Sequence, residues 1–372
     1  MKVLIVGAGF AGVAAAFAAR RAGASVTMVA GAPGASALYC GAVDGVDAEL
    51  PHELLQALGL RLAKGAQVAT REGVVRGSSG ADSALLNLAL LAGKRVAVVD
   101  VPRDDWDGPL LARSFASSSW ARSTETRFEL VPLPLLEKGH QRRVSAYDFA
   151  AGFERPERPA WLAELLKAHA GPDAWLFGPW LGLKRSLAAE LSQAAGVPVG
   201  EVTSPPGGPA GARFELRRDS LLASLGVERV TGRVTDVEVA SGEVALRLGG
   251  QAAMRGGALV LATGGFVGGG IALSGALSGA EPAGFELSIR GLPPVRLQGE
   301  PAQPVSSLFG VDLAARGRAL LEHVGLPTSR DGRVSGTSLV FAAGDVVGPV
   351  PPSVGQALQS GLRAGAAAAG TA

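Results

Sequence analysis

Met1-Lys-Val-Leu-Ile-Val-Gly7-Ala-Gly9-Phe-Ala-Gly12 is the stretch that decides the fold. The apolar run Val3–Val6 reads as a buried strand and enters a Gly7-x-Gly9-x-x-Gly12 turn. An alanine-rich helix from Ala11 to about Ala22 follows, then a second strand, Ser25–Val29. Each glycine has a physical task. Gly7 permits the tight turn, Gly9 lets the backbone approach a pyrophosphate, and Gly12 lets the helix pack on the strand. The helix N-terminus adds free N–H groups and the positive end of its dipole. The fingerprint counts for more here because strand, helix and strand surround it as its chemistry requires. It predicts a dinucleotide or flavin, and FAD in particular. One element is missing: the acid that would bond a ribose hydroxyl at the end of the second strand is replaced by Ala30, and no acid occurs before Asp44.

Composition narrows the partners. The 372 residues are 47% hydrophobic and 18% charged, with a net charge of +2 and no basic run, so nothing points to nucleic acid. Cys40 is the only cysteine, which excludes an internal disulfide, an iron–sulfur cluster or a cysteine-built zinc site. The cytoplasm is the expected compartment. Lys2 and the apolar residues after it resemble a short signal peptide, but the glycine fingerprint accounts for them better. Gly256–Ala280 is uncharged over a membrane-spanning length, yet its glycines and β-branched residues read as a buried strand with loops.

Further along, Glu49–Leu62 reads as helical and Gln67–Arg76 as a hairpin around Glu72-Gly73. Strands at Arg95–Val101, Arg127–Leu133, Ala174–Phe177 and Val197–Val202 alternate with helical patterns, notably Pro159–His169 and Leu183–Ala195, which implies a parallel sheet with crossover helices. The Pro/Gly cluster Ser204–Gly211 reads as a return linker. Val227–Val230, Arg233–Val239 and Val244–Leu248 read as short antiparallel strands, the last pair turning at Ser241-Gly242. Leu259–Ala262 and Leu339–Ala343 are further strands, and Ser353–Ala369 is a closing helix. The expected fold is therefore α/β: a Rossmann-like FAD/NAD(P)-binding domain with an inserted α/β domain and a small antiparallel β excursion. The expected boundaries are 1–80 plus 204–280 plus 330–372 for the flavin-binding domain, 81–203 for the insert, and 281–329 for an irregular substrate or interface segment.

Two later motifs complete the cofactor reading. Leu259-Val-Leu-Ala262-Thr263-Gly264-Gly is an apolar strand ending in a turn that returns the chain to the cofactor. In Leu339-Val-Phe-Ala-Ala-Gly344-Asp345-Val the carboxylate is placed to bond a ribityl hydroxyl, and the helix after it points its N-terminus toward the edge of the flavin ring where charge develops on reduction. Alone, the first is a strand with a glycine turn and Asp345 is a cap. Their order, with the fingerprint first and Gly-Asp last, favours a flavoprotein.

Three phrases, Gly34–Asp44, Ala262–Ile271 and Phe341–Gly348, resemble the B subunit of bacterial anaerobic glycerol-3-phosphate dehydrogenase, and the resemblance covers most of the chain. It implies oxidation of sn-glycerol 3-phosphate to dihydroxyacetone phosphate, with electrons passing through flavin to an iron–sulfur subunit and then to membrane quinone. It also implies two partners, a catalytic A-type flavoprotein subunit and an iron–sulfur membrane-anchoring subunit, with FMN in the B subunit and peripheral attachment to the inner membrane through those partners. The chain departs from the family at Pro349–Gly355, where the family carries a Gly-rich run. Two readings compete: a stand-alone FAD-dependent oxidoreductase acting on another small molecule, and a structural subunit with a vestigial cofactor site.

The candidate cofactor residues are Gly7, Gly9, Gly12, Ser36, Gly41, Ala262, Thr263, Gly264, Gly344 and Asp345. Ser36 would bond a phosphate or ribityl oxygen, and small residues through Gly41 would let the backbone approach the ring. Cys40 is either near the flavin or a small buried hydrophobe. A phosphate substrate calls for arginine, and Arg76 and Arg213 are the candidates, against plain surface arginines as the competing reading. Oxidation of an alcohol needs a base, yet none of His52, His140, His169 and His323 stands in a cofactor motif, and no catalytic base is assigned. His169 reads as a solvated or capping helix residue.

Overall fold

The computed structural model describes residues 1–169, 171–240, 242–249, 253–274, 284–297, 300–301, 324–348 and 352–370. It divides into two compact units, one of residues 1–36, 45–54 and 218–372, the other of residues 37–44 and 55–217.

The first unit is built on the opening strand. Lys2–Val6 lies in the middle of a five-stranded parallel sheet whose order is Glu228–Thr231, Ser25–Ala30, Lys2–Val6, Ala258–Leu261, Val340–Ala342. Val3, Leu4 and Ile5 are fully buried, as a strand covered on both faces requires. The helix Phe10–Arg21 crosses over to Ser25–Ala30. The closing helix Val354–Ala368 packs on it at backbone distance: a Cβ on Gly361 would lie 2.2 Å from the Ala11 carbonyl oxygen, and one on Gly365 2.1 Å from that of Ala15. That approach is why the last helix is made of small residues. Leu4, Leu259, Leu261 and Val340 share one core with Val244 and Leu246 of an antiparallel sheet formed by Val234–Ala240, Glu243–Leu248 and Met254–Gly256.

Two readings of this unit need correction. Val227–Val230 was expected to be antiparallel, but Glu228–Thr231 pairs parallel to Ser25–Ala30, with Thr231 opposite Ala30. The reason is an unforeseen helix, Pro209–Ser224, which supplies the crossover a parallel strand needs. It starts within the expected linker, and its polar Arg217-Arg218-Asp219 hid the pattern. Of the 281–329 segment, short antiparallel strands are present at Gly284–Leu287, Arg296–Leu297, Glu300–Pro301 and Val324–Gly325; residues 302–323, and with them His323, lie outside the described residues, as does Ser241 of the expected turn.

The second unit holds the expected inserted sheet. Arg95–Asp100, Arg127–Pro132, Ala174–Phe177 and Val199–Glu201 are all parallel, in the order 127–132, 95–100, 174–177, 199–201. Val96 to Val99, Phe115, Trp175 and Phe177 form its core. The hairpin Leu60–Ala69 with Val75–Asp82 also belongs to this unit rather than to the flavin-binding domain. Its ends are hydrogen-bonded to the sheet: Glu201 N–H donates to Ala84 O at 2.8 Å, and Thr203 N–H to Ala69 O at 3.0 Å. Two helices are shorter than the periodicity suggests. His52–Leu58 stops at Gly59, whose φ is +65°, and Leu60 already starts a strand. Ala188–Ala195 begins late because Gly182, at φ +97°, turns tightly and the Glu154 carboxylate takes the N–H groups of Leu183, Lys184 and Arg185.

Candidate functional site

Gly7, Ala262 and Ala343-Gly344 follow the carboxyl ends of three adjacent parallel strands, Lys2–Val6, Ala258–Leu261 and Val340–Ala342. The order of the sheet reverses between the first two. Open α/β sheets bind ligands outside the carboxyl ends of their strands at such a switch point. Motifs from the beginning, late middle and end of the chain therefore meet at one edge of one sheet.

The geometry of the first loop leaves no room for a side chain at Gly7 or Gly12. Gly7 has φ +107°, and a Cβ on it would sit 2.0 Å from the Ala262 carbonyl oxygen. A Cβ on Gly12 would sit 2.0 Å from the Gly7 carbonyl oxygen. Gly7 N–H donates to Val29 O at 2.8 Å, which fastens the loop to the second strand. At the helix start, Phe10 N–H donates to Ser36 Oγ at 3.1 Å, and Val13 N–H is the first to reach back, to Gly9 O at 3.0 Å. The N–H groups of Ala11 and Gly12 between them have no partner among the described residues and are available to an anion at the helix end. Ser36, accepting from Phe10, keeps its own hydroxyl proton for a ligand oxygen.

The last motif is held by a residue that the sequence reading passed over. Gly344, at φ +73°, donates its N–H to Ser360 Oγ at 2.9 Å. Ser360 lies on the closing helix and is one of its few polar side chains; that contrast with the surrounding alanines and glycines was the available signal. Asp345 is half-buried with no hydrogen-bond partner among the described residues, and burial pushes its carboxyl above the usual carboxylate range. Thr263 and Gly264 are half-buried beside it in the sheet order, and a Cβ on Gly265 would lie 2.8 Å from the Asp345 carbonyl oxygen. A carboxyl shielded from water and unpaired, next to free helix-end N–H groups, is a donor and acceptor set that fits a flavin with its ribityl hydroxyls and pyrophosphate. Replacing Asp345 by Ala is expected to weaken FAD binding about tenfold, as loss of one hydrogen bond to a charged group does; fluorescence titration of the apoprotein measures it. At the end of the second strand Ala30 leaves the acid position empty, and Thr231-Gly232-Arg233 of the neighbouring strand borders it.

The other sequence candidates fall elsewhere. Gly41 belongs to the second unit, where it has φ +101° and a Cβ on it would meet Leu85 Cδ1 at 2.5 Å. Its carbonyl accepts from the buried Tyr39 hydroxyl at 2.8 Å, and burial pushes that phenol well above its ordinary range. Cys40 is half-buried beside them. Arg76 was expected to meet a substrate phosphate. It is instead bound in a fork by Asp44, at 2.9 and 3.0 Å, and this hydrogen bonding raises its pKa. Arg213 is corrected more sharply: it is fully buried, with Nη2 donating to Glu201 Oε2 at 2.7 Å and Nη1 to Gly182 O at 2.6 Å. It is a core ion-pair residue, closed off from solvent. His169 caps its helix, with Nδ1 2.9 Å from Leu165 O, as expected of it. His52 and His140 are exposed. No metal-binding cluster and no helix long and apolar enough to cross a membrane occur among the described residues.

The Arg213 pair makes stability depend on pH. Burial pushes the Glu201 carboxyl up to about 6 from 4.5, against the pull of Arg213. Because the folded value is the higher one, this group's contribution is full below pH 4.5 and is lost as pH rises through about 6, by on the order of 2 kcal/mol. Urea midpoints of wild type and Glu201→Gln check this. Lowering the pH from 7.5 to 5 should shift their difference in favour of wild type.

Comparison with known proteins finds an FAD-binding domain at the start of the chain. Residues 2–54 match the model of the FAD binding domain family. No curated protein matches the chain. Among solved structures, the chain is similar to the 3-ketosteroid-Δ4-(5α)-dehydrogenase of Rhodococcus jostii, with 16% identity over 99% of this chain and 97% of that one and a TM-score of 0.39. A flavocytochrome c3 fumarate reductase in its open conformation gives 15% identity over 100% and 78%, with a TM-score of 0.38. The GidA-related protein of Thermus thermophilus gives 14% over 99% and 96%, with a TM-score of 0.35. The matched segment contains Gly7, Gly9, Gly12, Ser36 and Gly41, and the cofactor is a flavin, FAD, as the fingerprint predicts. The shared feature is this FAD-binding domain at the start of the chain.

Proposed function

We propose that this chain is a flavin-dependent oxidoreductase, the B-type subunit of a respiratory anaerobic glycerol-3-phosphate dehydrogenase, carrying electrons from sn-glycerol 3-phosphate oxidation toward quinone. The observation that carries the reading is the meeting of Gly7–Gly12, Ala262–Gly264 and Gly344-Asp345 at one sheet edge, the last two of them within phrases that resemble that subunit. In this chain the Ala11 and Gly12 N–H groups would hold the pyrophosphate, Ser36 a phosphate or ribityl oxygen, and Asp345 a ribityl hydroxyl. The bound flavin supplies the capacity to take up and release electrons.

Two features support a partner-dependent role. A single cysteine provides no ligands for an iron–sulfur relay, so electrons leaving the flavin need another protein or a diffusible acceptor. Arg76 and Arg213, the arginines picked out for a substrate phosphate, are both committed to carboxylates of the chain itself. That accords with substrate oxidation on an A-type catalytic subunit and with an iron–sulfur subunit as the route to the membrane. The test is co-expression with candidate A-type and iron–sulfur subunits, followed by identification of the released flavin and assay of glycerol-3-phosphate:quinone reduction. A stable complex whose turnover needs all three chains supports the reading. Robust turnover of another small molecule by this chain alone, with a soluble acceptor, would replace it with a stand-alone oxidoreductase. Full complex activity without flavin in this chain would make the site vestigial.

A further inference from the structure

A cavity of about 780 Å³ lies wholly within the second unit. Its origin is local. The hairpin strand Leu60–Ala69 leaves register with Val75–Asp82 between Leu62 and Ala66, and Gly65 within that bulge has φ +74°. Bulges of this kind bend a strand away from its partner and re-aim its side chains. Leu62 and Ala63 of the bulge form one wall of the cavity. The turn Leu88–Leu91 and the helix Ala188–Ala195 with its following loop form the others.

The lining is apolar apart from a few polar groups, most of them already satisfied. Asp82 is held by Arg217 Nη1 at 3.0 Å and by Ala84 N–H at 2.7 Å. Ser192 donates to Ala188 O at 2.6 Å and accepts from Val199 N–H at 2.9 Å. Asn87 Oδ1 accepts from the N–H groups of Gln67 and Ala89, both at 3.2 Å, while its Nδ2 has no partner among the described residues. Arg61 gives one N–H to Ser83 O at 2.5 Å and has no carboxylate partner among the described residues. Gln193, exposed on the same wall, has no hydrogen-bond partner among the described residues and offers its amide as donor or acceptor, so the groups left over are Arg61, Asn87 and Gln193, and the one charge among them is positive. Leu62, Leu86, Leu91 and Val199 provide the apolar remainder, in a volume of the size that encloses small organic ligands.

We propose that this cavity binds an amphipathic anion: an apolar chain ending in a carboxylate, with the head on Arg61 and Asn87 and the chain against Leu62, Leu86, Leu91 and Val199. The carboxylate accepts from guanidinium and amide together, and the chain leaves water along the leucines. This site uses no residue of the flavin edge and does not depend on the dehydrogenase reading.

The test is calorimetric titration of the flavin-loaded full chain with decanoate, decan-1-ol and acetate, using wild type, Arg61→Gln and Ala189→Trp. Ala189 is an exposed helix residue on the cavity wall, so the indole fills the cavity without entering the core. Decanoate should bind saturably at one site, decan-1-ol about tenfold more weakly, and acetate not at all. Arg61→Gln should bring decanoate down about tenfold and leave decan-1-ol unchanged, and Ala189→Trp should abolish both. Flavin absorbance should stay at full strength in each variant, which separates loss of this site from loss of the cofactor. The proposal is overturned if wild type shows no saturable binding, if Ala189→Trp binds as well as wild type, or if Arg61→Gln leaves decanoate unchanged or weakens both ligands alike.

Discussion

Gly9→Asp should purify as a folded, colourless protein. A Cβ at this position would meet only Ser36, with Oγ at 2.8 Å, and a serine hydroxyl can rotate away. The fold is therefore spared. The new carboxylate stands where the backbone must approach a pyrophosphate, and like charges a few ångströms apart at a protein surface repel by several kcal/mol. FAD affinity should fall at least about a hundredfold. Visible absorbance of the purified protein and its circular dichroism, read together, give the answer; a yellow Gly9→Asp protein would place the cofactor elsewhere. Gly7→Ala makes the contrast. Its Cβ would lie 2.0 Å from the Ala262 carbonyl oxygen at φ +107°, so both the steric and the backbone terms oppose it. That variant should lose stability as well as flavin, seen as a lowered melting temperature even before cofactor is added.

Arg213→Met should be the most destabilising single change in the second unit. It removes the partner of Glu201, which is fully buried, and leaves Asp82 with Arg217 as its remaining ion-pair partner. Breaking a buried pair from one side costs about 3–5 kcal/mol, because a charge is left without compensation in the interior. The double change Arg213→Met with Glu201→Leu should recover a large part of this, since removing both partners removes the uncompensated charge as well. Urea denaturation of the four proteins of this cycle measures the coupling. A single variant as stable as wild type would show that Arg213 is not the ion-pair centre the structure makes it.

Legibility differed sharply between these two regions. The flavin edge was readable because its glycines are imposed by backbone geometry. Gly7, Gly12 and Gly344 either have positive φ or leave no space for a Cβ, and such positions keep their identity in the sequence itself. The inserted sheet was readable for a related reason: four apolar runs with helical patterns between them have few other ways to bury their surface. The strand Glu228–Thr231 was misjudged because its direction depends on the helix before it, and that helix has a weakly amphipathic, arginine-rich sequence. Arg213 was misjudged because an arginine looks the same in sequence whether water or Glu201 surrounds it.

By itself, then, the sequence determined the α/β class, the FAD fingerprint and the glycines at the carboxyl ends of the central strands, since these follow from local steric and hydrophobic constraints. Only the tertiary structure decided which charges are spent inside the chain. Arg76 and Arg213 are paired with Asp44 and Glu201, 32 and 12 residues away in sequence, while Arg61 and Asn87 keep free donors beside an apolar cavity. Pairing of polar groups is a property of the packed interior, where desolvation makes each unmatched donor or charge costly, and no local pattern in the chain records it.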